Sequence, residues 1–109
     1  MISLTKIYEA AERIKDAVIP TPLIFNNIFS EEYNCTIFFK REDLHPVRSF
    51  KLRGAYNKIS SLSDEDRNKG VVCASSGNFA QGVAYTCSLL KINCKIFMPA
   101  NAPNQKLTK

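Results

Sequence analysis

The 109-residue sequence predicts an α/β fold in which a parallel sheet contains a βαβ crossover. Two short apolar runs, VVCA at residues 71–74 and CKIFM at residues 94–98, are typical of buried strands. Between them, apolar residues recur at helical spacing: Phe79, Val83, Ala84, Cys87 and Leu90. Strands joined in this way are expected to be parallel with a right-handed connection, so the turn after the first strand lies where α/β sheets bind ligands.

The amino-terminal segment is predicted to form an amphipathic helix. Its apolar residues recur at spacings of three and four: Leu4, Ile7, Ala11, Ile14 and Val18. Ser3 is placed to cap the start of this helix, and Pro20 and Pro22 end it.

A strand, a charged loop and a second helix are predicted next. The run TIFF at residues 36–39 is β-prone, and residues 40–43 (KRED) lead from it toward Lys51. From Ser49 onward the apolar residues again follow helical spacing: Leu52, Ala55, Tyr56, Ile59 and Leu62. The polar residues 63–70 connect this helix to the strand at residues 71–74. Beyond residue 98, a turn is predicted at residues 99–103 and the start of another helix at residues 104–107.

Composition and charge exclude several classes of protein. The hydrophobic share is 45%, and no apolar run approaches the ~20 residues of a membrane span. The net charge of +5 comes from lysines and arginines scattered among 10 acidic residues, so nucleic acid is not an expected partner. Because the amino terminus lacks the apolar core of a secretion signal and its helix is acidic, a cytoplasmic location is expected.

The four cysteines give no sign of a metal site. Cys35, Cys73, Cys87 and Cys94 show no C-x-x-C pairing and no accompanying histidine cluster. They are interpreted as reduced core residues, with Cys73 in a strand and Cys87 on the apolar face of a helix. Neither zinc binding nor a disulfide framework is expected.

The run SFKLRGA at residues 49–55 places Lys51 at the predicted start of a helix. A lysine amine becomes a nucleophile that can form a Schiff base when burial or a neighbouring cation lowers its pKa. Arg48 and Arg53 flank Lys51 in the sequence. The alternative is that Lys51 is an ordinary solvated lysine beside a helix start.

A second motif, SSGNFAQG at residues 75–82, follows the strand at residues 71–74 and opens the next helix. The hydroxyls of Ser75 and Ser76 can donate or accept hydrogen bonds, and Gly77 lets the backbone approach a ligand closely. The amides at the helix start favour an anion such as a carboxylate or phosphate. The alternative is structural: Ser76 caps the helix and Gly77 makes the turn.

Together with the run KREDL at residues 40–44, these motifs closely resemble the amino-terminal part of the threonine dehydratases, also called threonine ammonia-lyases. These enzymes are fold-type II pyridoxal-phosphate enzymes. The resemblance runs from about Ile7 to the last residue and includes TPL at residues 21–23 and FMP at residues 97–99. It implies an incomplete two-domain architecture. Residues 1–50 are expected to belong to the large cofactor domain with the lysine loop, and residues 51–109 to begin the small α/β domain.

The resemblance also implies a cofactor and a reaction. Lys51 would bind pyridoxal 5'-phosphate covalently, Phe50 would pack against the cofactor ring and Asn78 would hydrogen-bond its phenolic oxygen. The substrate carboxylate would be held by four residues: Ser75, Ser76, Gly77 and Gln81. Lys51 would take the α-proton as L-threonine is converted to 2-oxobutanoate and ammonia, in isoleucine biosynthesis or threonine catabolism. The complete protein would be a homo-oligomer acting on a small amino acid.

Alternatives remain inside and outside this class. Serine dehydratases and serine racemases share these motifs, so the choice between threonine and serine stays open. No glycine-rich stretch matches the family's phosphate-binding loop, because the four glycines are isolated: Gly54, Gly70, Gly77 and Gly82. The chain is therefore expected to be an inactive front piece of the enzyme or, alternatively, a non-catalytic remnant.

One position departs from the family pattern, and the chain has a single histidine. The resembled dehydratases usually carry a histidine after the asparagine, where this chain has Phe79, which can neither titrate nor hydrogen-bond through its ring. Phe79 is therefore interpreted as a packing residue. His45 is the sole histidine, and it is expected to be an ordinary surface residue.

Overall fold

A computed structural model describes residues 1–100. In this part of the chain the elements are α1 (Leu4–Ile14), β1 (Leu23–Phe25), α2 (Asn27–Glu32), β2 (Phe38–Lys40), α3 (Lys51–Ser60), α4 (Asp64–Lys69), β3 (Val71–Ala74), α5 (Asn78–Leu90) and β4 (Cys94–Phe97). A short 3-10 turn, Glu42–Leu44, lies between β2 and α3. The predicted helix at residues 104–107 and most of the predicted turn at residues 99–103 lie outside the described residues.

The βαβ unit predicted from the sequence is confirmed. β3 and β4 pair in parallel, with Val71 opposite Cys94 and Ala74 opposite Phe97, and α5 connects them. Five residues of α5 are buried: Ala80, Gly82, Val83, Thr86 and Cys87. The predicted apolar face is right for Val83 and Cys87, but Phe79 and Ala84 are exposed because the buried face turns toward α3 as well as toward the strands.

The main core lies between α3, α5 and the parallel strands. Ala55 and Ile59 on α3 pack with Val83 and Cys87 on α5, as the helical spacing predicts. Half-buried residues of the neighbouring elements surround this group: Leu62, Val71, Cys73, Leu90, Ile92 and Ile96. The arrangement fixes α3, and therefore its first residue, against the βαβ unit.

A second cluster joins the amino-terminal segment to the start of α3. Leu52, which has no solvent exposure, packs with Val18 and Val47. The predicted division between residues 50 and 51 stays a prediction, and this cluster packs across it. As expected, α1 is capped by Ser3, whose Oγ accepts a hydrogen bond from the Lys6 amide at 3.3 Å.

The sequence reading missed the strand β1. It pairs antiparallel with β2, so that Leu23 lies opposite Lys40 and Phe25 opposite Phe38. β2 itself begins two residues after the predicted start at residue 36. The strand pair places the chain after Lys40 directly beside the segment that follows α1.

Two short helices were also missing from the sequence reading. The side chain of Asn26 caps α2, and that of Ser63 caps α4 through the Asp66 amide at 3.2 Å. Residues 63–70 therefore contain a helix, although their polarity indicated a connecting segment. Three acidic residues lie in the first turn of α4 and two basic residues in its last turn, where their charges interact favourably with the helix dipole.

Residues 1–109 expressed alone are expected to self-associate. Apolar side chains of both antiparallel strands are exposed, including Ile24, Phe25 and Phe38, and an open groove of about 390 Å³ reaches core residues such as Ile59. Exposed apolar surface of this kind drives association at micromolar concentrations. Sedimentation velocity over a concentration series measures it, and a monomer at every concentration would contradict the expectation.

No helix within residues 1–100 is long and apolar enough to cross a membrane.

Candidate active site

Lys51 is the first residue of α3, and its side chain is exposed. The Lys51 amide donates a long hydrogen bond, 3.4 Å, to Oγ of the buried Ser49. Lys51 Nζ lies 4.7 Å from the centroid of the Phe50 ring, within the range of a cation–π contact. The site therefore presents an accessible amine against an aromatic face.

The turn that leads into α3 is tightly constrained. Arg48 adopts a left-handed backbone conformation with φ of 53°, and its amide donates a 2.7 Å hydrogen bond to the His45 carbonyl oxygen. A residue other than glycine in a sparsely populated conformation costs roughly 1–3 kcal/mol and persists only where its surroundings fix it. Here the buried neighbours Val47 and Ser49 provide that support.

A cavity of about 270 Å³ lies beside Lys51. It is lined by residues from the start of α3 and from α5: Phe50, Lys51, Gly54, Ala55 and Phe79. Phe79, interpreted from the sequence as a packing residue, is 42% exposed and lines this cavity. The lysine amine thus opens onto a small space bordered by two aromatic rings.

Gly54 leaves space on the Lys51 side of α3. A Cβ built at Gly54 would meet no atom within 4 Å, whereas glycine inside a helix costs about 1 kcal/mol relative to alanine. Among the described glycines only Gly70 has a positive φ, so the backbone conformation at Gly54 does not require glycine. The free space at Gly54 adjoins the exposed Lys51 amine and leaves room there for a planar ligand.

The variant Gly54→Ala is expected to stabilise the fold and weaken ligand binding. Alanine raises helix propensity by about 1 kcal/mol, and its methyl group meets no neighbour but takes volume from the cavity. Urea unfolding of the full-length protein measures the first effect, and titration with pyridoxal phosphate measures the second. A variant that is stabilised yet binds the cofactor as tightly as the wild type would show that the space is not needed.

The second motif forms the turn between β3 and α5. The Ser75 amide donates to the Phe97 carbonyl oxygen at 3.0 Å, which places the turn at the carboxyl end of the parallel pair. Ser75 Oγ accepts hydrogen bonds from the amides of Gly77 (3.3 Å) and Ala80 (3.2 Å). The N-cap position of α5 is Gly77, and the Ala80 amide in the first turn is bound by Ser75, so the structural alternative that assigned the cap to Ser76 is wrong. Both acceptor contacts leave the Ser75 hydroxyl hydrogen able to donate.

The structure distributes the predicted site residues over neighbouring surfaces. Phe50 and Lys51 line one cavity, while Ser75, Ser76 and Gly77 lead into Asn78, the first residue of α5. Gln81 lines a different cavity of about 310 Å³, together with three residues near the lysine turn: Pro46, Val47 and Tyr85. The cofactor and substrate roles assigned to these residues stay predictions.

Gly82 brings α5 into close contact with the backbone of Lys51. A Cβ built at Gly82 would lie 3.2 Å from the Lys51 carbonyl oxygen and 3.4 Å from Ala55 Cβ. Thr86, one turn later and fully buried, donates its hydroxyl to the Gly82 carbonyl oxygen at 2.7 Å. The absence of a side chain at Gly82 therefore sets how closely the two helices pack at the lysine.

A group of four polar side chains, here called the Glu42 cluster, lies behind the start of α3. Its members are Thr21, Glu42, His45 and Arg53. Arg53 donates two hydrogen bonds to the Glu42 carboxylate, from Nε at 2.7 Å and from Nη2 at 2.8 Å. The Thr21 hydroxyl also donates to Glu42, and His45 Nε2 lies 3.1 Å from Glu42 Oε2.

The cluster corrects two expectations. His45 is 2% exposed and is not a surface residue, because its ring is enclosed where it meets Glu42. Arg53 does follow Lys51 in the sequence, but its guanidinium is engaged by Glu42. Sequence reasoning missed Thr21 and Glu42 as site residues. Both residues lie in runs that carry the family resemblance, at 21–23 and 40–44, but neither run indicates that the two side chains meet.

The cluster is expected to make the folded state less stable at acid pH. Hydrogen bonds from Arg53, helped by those from Thr21 and His45, lower the pKa of Glu42 from 4.5 to about 2. Because the folded-state pKa is depressed, the stabilisation is complete above about pH 4.5 and is lost as the pH falls toward 2. Urea midpoints measured across this window are expected to fall less in Glu42→Gln than in the wild type. Equal pH dependence in both proteins would contradict this account.

These features agree with a family assignment. Residues 14–109 match the family described as pyridoxal-phosphate dependent enzyme, and the chain belongs to that family.

Particular relatives narrow the comparison. The chain is 55% identical over 108 residues to the biosynthetic L-threonine dehydratase IlvA of Staphylococcus epidermidis, covering 99% of this chain and 26% of that protein. Its structure is similar to maize serine racemase, with a TM-score of 0.92 and 39% identity over 96% of this chain and 32% of that one. It is also similar to processed threonine deaminase isoform 2 of Solanum lycopersicum, with a TM-score of 0.80 and 39% identity over 97% and 32%. The chain thus spans about a quarter of the length of the curated relative.

Proposed function

We propose that this chain supplies the lysine-bearing segment of a pyridoxal-phosphate dependent L-threonine dehydratase, which converts L-threonine to 2-oxobutanoate and ammonia. The observation that carries the proposal is the exposed Lys51 amine, which opens onto a cavity bordered by Phe50 and Phe79 beside the free space at Gly54. The 55% identity to a threonine dehydratase favours threonine as the substrate.

Three side chains are assigned to the cofactor. Lys51 Nζ would link to it covalently, the Phe50 ring would pack on its face, and the Asn78 amide would donate to its phenolic oxygen. When bound, pyridoxal phosphate supplies an electron-withdrawing ring that stabilises negative charge at the α-carbon of an amino acid. The contact between Lys51 Nζ and the Phe50 ring supports this assignment, since it keeps the amine beside a flat apolar surface.

The turn before α5 is assigned to the substrate. Ser75, Ser76 and Gly77 present hydroxyl and amide groups at a helix start, where a carboxylate is favoured by the helix dipole. Gln81 is assigned to the same carboxylate, and its position on a separate cavity makes it the weakest member of the set. Lys51 Nζ, in its neutral form, would take the proton from the substrate α-carbon. The Phe79 ring carries no proton and would instead exclude water.

A second candidate is a serine dehydratase or serine racemase. The likeness to maize serine racemase, with a TM-score of 0.92, favours it. Racemisation needs only removal and return of the α-proton, whereas dehydration also needs loss of the β-hydroxyl. Products therefore distinguish the two: D-serine indicates a racemase, pyruvate a serine dehydratase and 2-oxobutanoate a threonine dehydratase. The homo-oligomeric state and cytoplasmic location stay predictions.

The proposal is tested on the full-length protein in two measurements. Borohydride reduction after incubation with pyridoxal phosphate, followed by peptide mapping, is expected to place the cofactor on Lys51. Incubation with L-threonine and, separately, with L-serine is expected to yield 2-oxobutanoate faster than pyruvate. Cofactor attached to a lysine other than Lys51 would overturn the site assignment, and D-serine as the main product would favour the racemase.

A further inference from the structure

We infer that the Glu42 cluster is a positioning device that holds Lys51 at its cavity by clamping the first turn of α3. Arg53 lies two residues after Lys51 in that turn, and two polar groups from outside α3, the Thr21 hydroxyl and the His45 ring, meet at the carboxylate that Arg53 binds. This inference rests on the proposed function for its catalytic consequence, but the clamp itself is a property of the fold.

The cluster joins parts of the chain that are distant in sequence. Thr21 follows α1, Glu42 begins the 3-10 turn after β2, and Arg53 belongs to α3. A guanidinium that donates from Nε and Nη2 to the two oxygens of one carboxylate is fixed in orientation as well as in distance. Glu42 therefore fastens the start of α3 to the antiparallel strand pair and to the segment after α1.

A second guanidinium–carboxylate pair nearby shows what the cluster adds. Arg41 binds Asp43 through two contacts of 2.8 and 2.7 Å, nearly the geometry of Arg53 on Glu42. The Asp43 side chain is 56% exposed and the Glu42 side chain 17%. The Arg41 pair lies within one turn, so it connects no other element and contributes little. The two pairs share their chemistry and differ in burial and in what they join.

The Glu42 pair is partly buried, with 17% of the Glu42 side chain and 33% of the Arg53 side chain exposed, so forming it costs part of the hydration of both charges. Ionic groups taken out of water lose hydration, and apolar residues of similar volume often stabilise a fold at least as well. A buried pair that spans several segments can instead select one arrangement of the backbone. The apolar contacts of Leu52 with Val18 and Val47 already hold α3 to these segments, so the cluster adds orientation.

His45 supports the same conclusion from the other side of the carboxylate. Its ring is buried, Nε2 faces Glu42, and Nδ1 has no hydrogen-bond partner among the described residues. Because an ionised carboxylate only accepts hydrogen bonds, the contact of Nε2 with Glu42 requires a proton on Nε2. Burying a ring with one unpaired nitrogen is energetically unfavourable, and the contact of its other nitrogen with Glu42 offsets part of that cost.

The inference is tested in the full-length protein with Glu42→Gln and, as the matched control, Asp43→Asn. Both variants convert a carboxylate to a neutral carboxamide, the first in the cluster and the second in the exposed pair. Hydrogen exchange of the amides of residues 51–55 reports the clamp without the cofactor. We expect Glu42→Gln to accelerate this exchange about tenfold, and Asp43→Asn to leave it unchanged.

The catalytic consequence is read in the cofactor-loaded protein. Since misplacement of a reacting group by about 1 Å can cost roughly 100-fold, Glu42→Gln is expected to lower kcat by about 10- to 100-fold. KM is expected to stay within about threefold because the substrate turn before α5 is untouched. The visible circular dichroism of the bound cofactor is expected to change, since it depends on the orientation of the chromophore. Asp43→Asn is expected to match the wild type in all three.

Arg53→Lys serves as a second variant should Glu42→Gln fail to fold, because it keeps the charge but loses the two-point contact. Intermediate losses in kcat and intermediate exchange rates are expected. Unchanged exchange at residues 51–55 would overturn the clamp. Accelerated exchange with wild-type kcat and circular dichroism would restrict the cluster to stability. If the wild type binds no cofactor at Lys51, the proposed function fails, and the exchange result still decides the clamp.

Discussion

The variant Lys51→Ala is expected to lower turnover by about 10³-fold or more in the full-length protein, with little change in stability. The magnitude follows from the roles proposed for Lys51: loss of a proton-transfer group alone typically lowers the rate by about 10²–10⁴-fold, and the covalent cofactor link would be lost as well. Stability is expected to change little because the Lys51 side chain is exposed and contacts the ring of its neighbour Phe50. Steady-state kinetics with L-threonine and a urea unfolding curve measure the two effects.

Lys58→Ala is the matched control for this variant. Lys58 lies on the same helix, is also exposed, and stands near the end of α3. Its replacement is expected to leave turnover within about twofold of the wild type, since isolated surface changes have small effects. Addition of a small primary amine such as ethylamine is expected to restore part of the activity of Lys51→Ala. Wild-type turnover in Lys51→Ala would contradict the assignment.

The elements around Lys51 were predictable because their signals are local. The apolar spacing of Leu52, Ala55 and Ile59 specifies a helix whose buried face is correct, and the run at residues 71–74 coincides with β3. Ser3 was correctly identified as a cap because its position relative to the first apolar residue is sufficient. Patterns that repeat every two or every three to four residues carry their own structural information.

The Glu42 cluster could not be predicted, since it depends on contacts between distant parts of the chain. Thr21 and Glu42 are 21 residues apart, and Glu42 and Arg53 are 11 apart, so no periodic pattern relates them. The sequence shows charged residues at 40–43 without indicating that Glu42 turns inward while Asp43 faces solvent. The pairing of β1 with β2 also joins separate parts of the chain, and a strand of three residues gives little periodic signal of its own.

Glycine positions illustrate the same limit. Gly54 and Gly82 both lie within helices, and the sequence alone does not show that their surroundings differ. In the fold, Gly54 faces free space beside the lysine, whereas Gly82 lies against the Lys51 backbone. An added side chain is therefore expected to change stability in opposite directions at the two positions. At Gly54 it stabilises the helix and takes only cavity volume, whereas at Gly82 it disrupts the contact between the two helices.

The variant Gly82→Val is expected to destabilise the fold by about 2 kcal/mol, as overpacking of a core typically costs about 1–3 kcal/mol. A Cβ alone would already lie 3.2 Å from the Lys51 carbonyl oxygen, so the larger side chain must push α5 away from the start of α3. Because Lys51 is displaced with its backbone, turnover in the full-length protein is expected to fall by about tenfold or more below the melting temperature. Ala84→Val, on the exposed face of α5, measures the cost of valine in this helix without the contact. Urea unfolding and steady-state kinetics of both variants provide the comparison. If Gly82→Val were no more harmful than Ala84→Val in either measurement, the close approach of the two helices would not be what positions Lys51.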